Sequence, residues 1–307
     1  MKLVFMGTPE FAVATLEKLV EAGHDVAAVF TQPDRPKGRG NKLAAPPVKE
    51  CALRLGLPVF QPERVRREEV VEQIRQMAPK AMVVVGYGQL IPQSILDIPP
   101  LGIVNVHASL LPKYRGAAPI QWAIANGETR TGVTTMKINA GLDTGDMLLK
   151  RETEIGPEET AVELGARLAK DGAELAVETM EKIHEIVPEP QNDAEATYAP
   201  IIKKEDGHID WTRPATEIHN RIRGLTPWPG GYGFLDGKRF HIWKARPIEA
   251  QGNAAPGTLT ADRHRLYARC GEGSLELEEV QLEGKKRMPA AAFLNGMPMP
   301  DEGWKLT

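Results

Sequence analysis

Ala81-Met82-Val83-Val84-Val85 is an unbroken apolar run, stopped by Gly86-Tyr87-Gly88. A run this short and β-branched reads as a strand covered on both faces, as in a parallel sheet. The same pattern recurs toward the amino terminus. Lys2–Met6 is apolar and stops at Gly7-Thr8-Pro9, and Pro9–Ala22 then has helical spacing through Phe11, Leu16, Leu19 and Val20. Asp25–Thr31 predicts a strand, Pro46-Pro47 opens a short helix through Leu55, Val59-Phe60 is a brief strand, and Arg66–Gln76 is a helix. Strands alternating with helices predict an α/β, Rossmann-like, mostly parallel sheet with helices on both faces.

Such sheets bind ligands beyond the carboxyl ends of their strands. Gly7-Thr8-Pro9, Gly86-Tyr87-Gly88 and the segment Gly102-Ile103-Val104-Asn105-Val106-His107 all place turns or polar residues there. The dinucleotide fingerprint is missing, because Met6-Gly7-Thr8-Pro9 lacks the second and third glycines, and there is no Walker lysine loop. Dinucleotide and ATP binding are disfavoured. Asn105 and His107 alternate at strand spacing, so both side chains leave one face. An amide and an imidazole there, joined by a carboxylate, can stabilise an oxyanion and move a proton. Nothing in the pattern supplies a serine or cysteine nucleophile, which favours direct acyl transfer between two bound substrates.

The chain has 307 residues, enough for two domains, and its 42% hydrophobic and 26% charged content suits an ordinary soluble protein. Met1 leads straight into the first strand and no apolar run is long enough to span a bilayer, so a cytoplasmic location is expected. Cys51 and Cys270 are far apart, without partners at metal-ligand spacing, and read as free thiols. No long exposed apolar segment demands a second copy, and a monomer is expected.

Gly132–Lys137 and Met147–Glu154 predict two further strands, and a long helix runs from Thr160 to about His184. Pro188-Glu189-Pro190-Gln191-Asn192-Asp193 opens the expected linker, 188–203, between domains 1–187 and 204–307. Beyond it, short alternating strands at Phe240–Lys244, Leu266–Arg269 and Leu275–Val280, separated by glycines, suggest a small β-barrel. Trp211, Trp228 and Trp243 are expected in its core. Residues 204–307 carry a net charge of +1 against −4 for the rest. Asp34–Lys49 is locally basic, at +4 through Arg35, Lys37, Arg39, Lys42 and Lys49.

Asn105-Val106-His107, Ser109-Leu110-Leu111-Pro112 and Gly141-Leu142-Asp143-Thr144-Gly145-Asp146 together resemble the active-site segments of the folate-dependent formyltransferases. Met6-Gly7-Thr8-Pro9, Thr31-Gln32-Pro33-Asp34-Arg35-Pro36, Arg115-Gly116-Ala117-Ala118-Pro119-Ile120-Gln121 and Pro227-Trp228-Pro229-Gly230 extend the resemblance, toward members acting on methionyl-tRNA, over nearly the whole chain. The resemblance implies an OB-like carboxyl-terminal barrel that holds tRNA, 10-formyltetrahydrofolate as formyl donor, and no metal. It also implies that Asn105, His107 and Asp143 are catalytic: Asn105 polarises the formyl oxygen, His107 holds the developing oxyanion, and Asp143 relays the proton. Ser109, Leu110, Leu111 and Pro112 become a folate-binding segment, with Gly86, Tyr87, Gly88 and Gln89 lining the pterin slot. Gly141 and Gly145 would let the Asp143 loop approach a flat ligand. Arg35, Lys37, Arg39 and Lys42 are expected to contact the acceptor stem of initiator methionyl-tRNA.

Overall fold

The computed structural model describes residues 1–37, 42–250, 252–297 and 303–307, with only the backbone of Lys37 and Lys42. It divides into two compact units. The first comprises 1–119, 130–154 and 165–199. Its strands begin with β1 Lys2–Gly7, β2 Asp25–Phe30, a hairpin of β3 Arg35–Lys37 and β4 Lys42–Ala44, β5 Val59–Phe60 and β6 Ala81–Val85. They continue with β7 Ile103–His107, β8 Arg115–Gly116, β9 Arg130–Lys137, β10 Met147–Glu154 and β11 Tyr198–Ala199. Helices up to residue 199 are α1 Val13–Glu21, α2 Pro47–Arg54, α3 Glu68–Met77, α4 Gln93–Leu96, α5 Pro119–Ala125 and α6 Ala161–Glu181.

Seven strands form one sheet in the order β10-β9-β7-β6-β1-β2-β5. The five from β7 to β5 are parallel, and β9 and β10 add to one edge antiparallel. Period-2 alternation divides the apolar side chains between two cores. Leu3 and Phe5 of β1 face a core with Leu16, Cys51, Ala176 and Met180 of α1, α2 and α6. Val4 and Met6 face the opposite core, with Val70 and Ile74 of α3 and Ile95 of α4. This two-sided burial is why β6 has no polar residue. The edge strand β10 instead alternates half-buried with exposed positions after its first two residues. A Cβ on Gly172 would meet Val106 Cγ1 at 2.9 Å, so this glycine lets α6 lie close against β7.

The second unit gathers 120–129, 155–164 and 200–307. It contains α7 Ala215–Gly224 and strands β12 Gly231–Leu235, β13 Lys238–Ile248, β14 Thr258–Asp262, β15 Arg265–Arg269, β16 Ser274–Leu282, β17 Met288–Pro289 and β18 Trp304–Lys305, with α8 Ala290–Gly296. The sheet runs β12-β13-β16-β15-β14-β18 with antiparallel neighbours, and a Leu235–Leu306 bridge nearly closes it into a barrel. Its core holds Trp211, Phe240, Ile242, Leu266, Leu277 and Trp304, sealed by Ile218 and Ile222 of α7. Buried Arg223 donates to the carbonyls of Gly156 and Glu159, fastening the 155–164 stretch to α7.

The segment 188–203, expected as a linker, is hydrogen-bonded over much of its length. Met147 and Glu189 form a bridge, β11 pairs parallel with β8, and Thr197 N–H donates to Pro112 O. Within this segment, residues up to Ala199 belong to the first unit and those from Pro200 onward to the second. Polar residues and prolines give this strap no periodicity, yet its side chains and short strand tie it down.

Candidate active site

Ile103, Asn105 and His107 share one face of β7, while Val104 and Val106 face the core beneath α6. Polar residues thus replace apolar ones toward the carboxyl end of the strand. His107 is buried, and its Nε2 lies 2.9 Å from Tyr114 O. A carbonyl only accepts, so Nε2 carries the hydrogen and Nδ1 is left toward Asp143, 3.7 Å from Oδ2. The sequence predicts an imidazole between substrate and Asp143; the structure adds that its other nitrogen is committed to the backbone. Asn105 is 9% exposed, and among the described residues its side chain has no hydrogen-bond partner. It is available to a ligand.

Asp143 sits in the loop from β9 to β10 with φ 51°, a left-handed conformation costly for a non-glycine residue. Its Oδ2 accepts from Gly116 N–H at 2.9 Å. Gln191 Nε2 donates to Asp143 O at 2.8 Å and Gly145 O at 2.7 Å. A Cβ on Gly145 would collide with Lys137 O, and one on Gly141 with Thr144 Oγ1. Both glycines therefore let the loop close on itself.

Ser109, Leu111 and Pro112 are buried, and Leu110 is half-buried. Ser109 Oγ donates to Lys113 O at 2.6 Å, Thr134 Oγ1 donates to Ser109 O at 2.7 Å, and Leu111 packs with Met136 and Met147. These contacts hold the turn that delivers Tyr114 O to His107. They also leave no free serine nucleophile in the segment.

Gly86 and Gly88 have positive φ, 56° and 87°, turning the chain after β6. Tyr87 O accepts from Thr8 Oγ1 at 2.8 Å and Gln32 Nε2 at 3.1 Å, locking three strand-end turns together. Gln89 spends both ends of its amide on Val65 N–H and Pro62 O. The side chains of Tyr87 and Gln89 are therefore turned into the protein. The sequence reading did not single out Leu90, 88% exposed beside this turn, or Leu142, 58% exposed beside Asp143. Their neighbours in those two loops, Ile91 and Ile138, pack on the same core. An exposed leucine in a glycine-rich, polar loop was the available signal.

The Tyr87 side chain is 2% exposed, its hydroxyl has no partner among the described residues, and burial pushes the phenol up to about 12. Because the folded value lies above the unfolded one, the neutral phenol's contribution is complete below pH ~10 and is lost as pH rises toward the folded value. Tyr87→Phe is expected to stabilise the protein by about 1–3 kcal/mol at neutral pH and to flatten the alkaline fall. Urea unfolding at pH 7 and 10.5 checks this; a less stable variant would show that the hydroxyl is satisfied.

The basic segment expected to touch tRNA forms the β3–β4 hairpin, with Arg35 exposed. Arg39 lies outside the described residues. In the second unit, Trp211 is a core residue as expected, but Trp228 is 59% exposed. Phe240 and Ile242 point into the barrel, so His241 and Trp243 point out. His241 stacks on Trp243 with centroids 5.3 Å apart, Arg287 lies 5.2 Å from the Trp243 centroid, and Arg239 lies 4.5 Å from that of Tyr232. Burial, then Arg239, holds His241 below the usual histidine value, so it presents a neutral ring among cations.

The family model described as formyl transferase matches residues 1–180, and that described as formyl transferase, C-terminal domain, matches 201–298. A methionyl-tRNA formyltransferase of Solibacter usitatus is 64% identical over 303 residues, covering 98% of this chain and 97% of its own. One of Geobacter sulfurreducens is 52% identical, covering 96% and 94%. Among solved structures, the N-formyltransferase of Helicobacter canadensis with folinic acid and dTDP-3-aminofucose has a TM-score of 0.67 at 19% identity, covering 90% of this chain and 98% of that one. HypX from Aquifex aeolicus has a TM-score of 0.65 at 18% identity; this chain spans 47% of its length. At these identities the two structures speak for the fold alone.

Proposed function

Because this chain belongs to the formyl transferase family, we propose that it transfers the formyl group of 10-formyltetrahydrofolate to the α-amino group of methionyl-tRNA. The products are N-formylmethionyl-tRNA, for translation initiation, and tetrahydrofolate. The observation that carries the chemistry is an unengaged Asn105 amide beside the His107–Asp143 pair, with Ser109 spoken for. Those groups fit a direct displacement: the amine attacks the formyl carbon, and no enzyme nucleophile intervenes.

Asn105 donates its amide N–H to the formyl oxygen and stabilises the charge that gathers there. His107, fixed by Tyr114 O through Nε2, turns Nδ1 toward the reacting centre and Asp143. Asp143 takes the proton released by the attacking amine, and the pair returns one to the departing folate nitrogen. Leu90 and Leu142 offer apolar surface to the pterin ring, and main-chain groups around Gly86–Gly88 border it. No metal enters this scheme. Parallel assays with methionyl-tRNA, an amino-sugar nucleotide, glycinamide ribonucleotide and water as acceptors test it. Equal or faster transfer to any acceptor other than methionyl-tRNA would overturn it.

Arg35, Lys37, Arg39 and Lys42 hold the acceptor end of the tRNA. This rests on their charge and on the hairpin's origin just past β2, where Gln32 is tied to the Tyr87 turn. The outward His241–Trp243 pair, with Arg287 beside it and Arg239 over the buried Tyr232 ring, supports a second contact, since bases stack on aromatic rings and guanidinium planes. Alanine at Arg39 and Lys42 together is expected to lower kcat/KM for methionyl-tRNA. It should flatten the log–log salt dependence by roughly 0.7–0.9 for each phosphate no longer neutralised, with folate affinity unchanged. A salt series on both proteins decides; an unaltered slope would remove the hairpin from the tRNA interface. Monomeric action in the cytoplasm completes the reading.

A further inference from the structure

We infer that Gln191, oriented by Arg115, is a positioning residue for the formyl transfer step and acts through Asp143. The inference rests on the reading of Asp143 as the carboxylate that handles the proton. Gln191 touches none of the reacting groups. Its amide is instead clamped at both ends. Oε1 accepts from Arg115 Nε at 2.9 Å, while Nε2 donates to Asp143 O at 2.8 Å and to Gly145 O at 2.7 Å. The amide can sit only one way round: its acceptor end meets a guanidinium that only donates, and its donor end meets two carbonyls that only accept. Arg115 is 2% exposed and also donates to Asp193 Oδ1 at 2.7 Å. That second bond ties the guanidinium to the same strap as Gln191.

What the clamp holds is a residue in an unfavourable conformation. Asp143 at φ 51° relaxes away from this backbone geometry unless its neighbours over-determine it. Gln191 fixes its main chain, and Gly116 N–H fixes the carboxylate. The strap reaches the other half of the pair too. Thr197 Oγ1 accepts from Tyr114 N–H at 2.8 Å, and Tyr114 O is the anchor of His107 Nε2. One short segment therefore sets both sides of the 3.7 Å approach between His107 and Asp143.

The test measures kcat, both KM values and unfolding midpoints for wild type, Gln191→Ala, Gln191→Glu, Asp143→Asn and the double variant Gln191→Ala/Asp143→Asn. Misplacing a reacting group by about 1 Å costs about 10²-fold, and Gln191→Ala is expected to lose that in kcat with both KM values near wild type. Gln191→Glu keeps the size and the Arg115 contact but sets carboxylate oxygen against two carbonyls; it should lose as much. If the alanine variant does not fold, this isosteric variant carries the test. In the Asp143→Asn background, Gln191→Ala should add little, because a residue acting only through Asp143 has nothing left to position. A wild-type kcat in Gln191→Ala, or a loss that multiplies in full with Asp143→Asn, overturns the inference. An undiminished kcat in Asp143→Asn alone overturns the reading of Asp143 and the inference with it.

Discussion

His107→Ala is expected to lower kcat for formyl transfer to methionyl-tRNA by about 10²–10⁴ while folate affinity changes little. The size follows from what the ring does. It is buried, it is anchored through Nε2 to Tyr114 O, and its Nδ1 is the group nearest to Asp143. Alanine removes the imidazole that faces the reacting centre and with it half of the proton path, and it leaves the fold of β7 intact because Ile103–Val106 still pair with their neighbours. Single-turnover rates at saturating substrates, with folate titrated separately, give the answer. A near-normal rate would remove His107 from the catalytic assignment.

Asn105→Ala carries the second large effect, a fall of about 10²–10³ in kcat, or ~2.7–4 kcal/mol of barrier. The amide is the donor that the protein leaves unspent, so its loss registers in the transition state and not in stability. Asn105→Asp sharpens the test. It keeps the side-chain size, removes the N–H and adds a negative charge where an oxyanion must form, so it should fall further than alanine. If the aspartate variant outperforms the alanine variant, Asn105 fills space and does not hold the formyl oxygen.

The parallel sheet was legible because each strand is a local signal. Ala81–Val85 and Lys2–Met6 are buried on both faces, and their composition says so without reference to any partner. The Asn105–His107 pair was legible for a related reason, as period-2 spacing alone puts the two side chains on one face. The rest depends on residues that meet only after folding. Gln191 binds a loop and an arginine far away in the sequence, and nothing in a proline-rich polar stretch announces that role. Nor does spacing reveal that Nε2 of His107 is taken by Tyr114 O, since a backbone acceptor leaves no residue-type signature. In the barrel, Phe240 and Ile242 alternate into the core. The same alternation puts Trp243 on the outer face, against the preference of tryptophan for the interior.

The second unit's three separate stretches set a timetable for synthesis. Residues 120–129 and 155–164 leave the ribosome before 200–307, which they pack with. At ~5–20 residues per second, the later stretch takes roughly 5–20 s to make. Through that interval the carbonyls of Gly156 and Glu159 wait for Arg223. The catalytic strap, complete at Ala199, emerges at the start of this wait. The residues of the proposed chemistry are thus all synthesised before the stretch that completes the second unit.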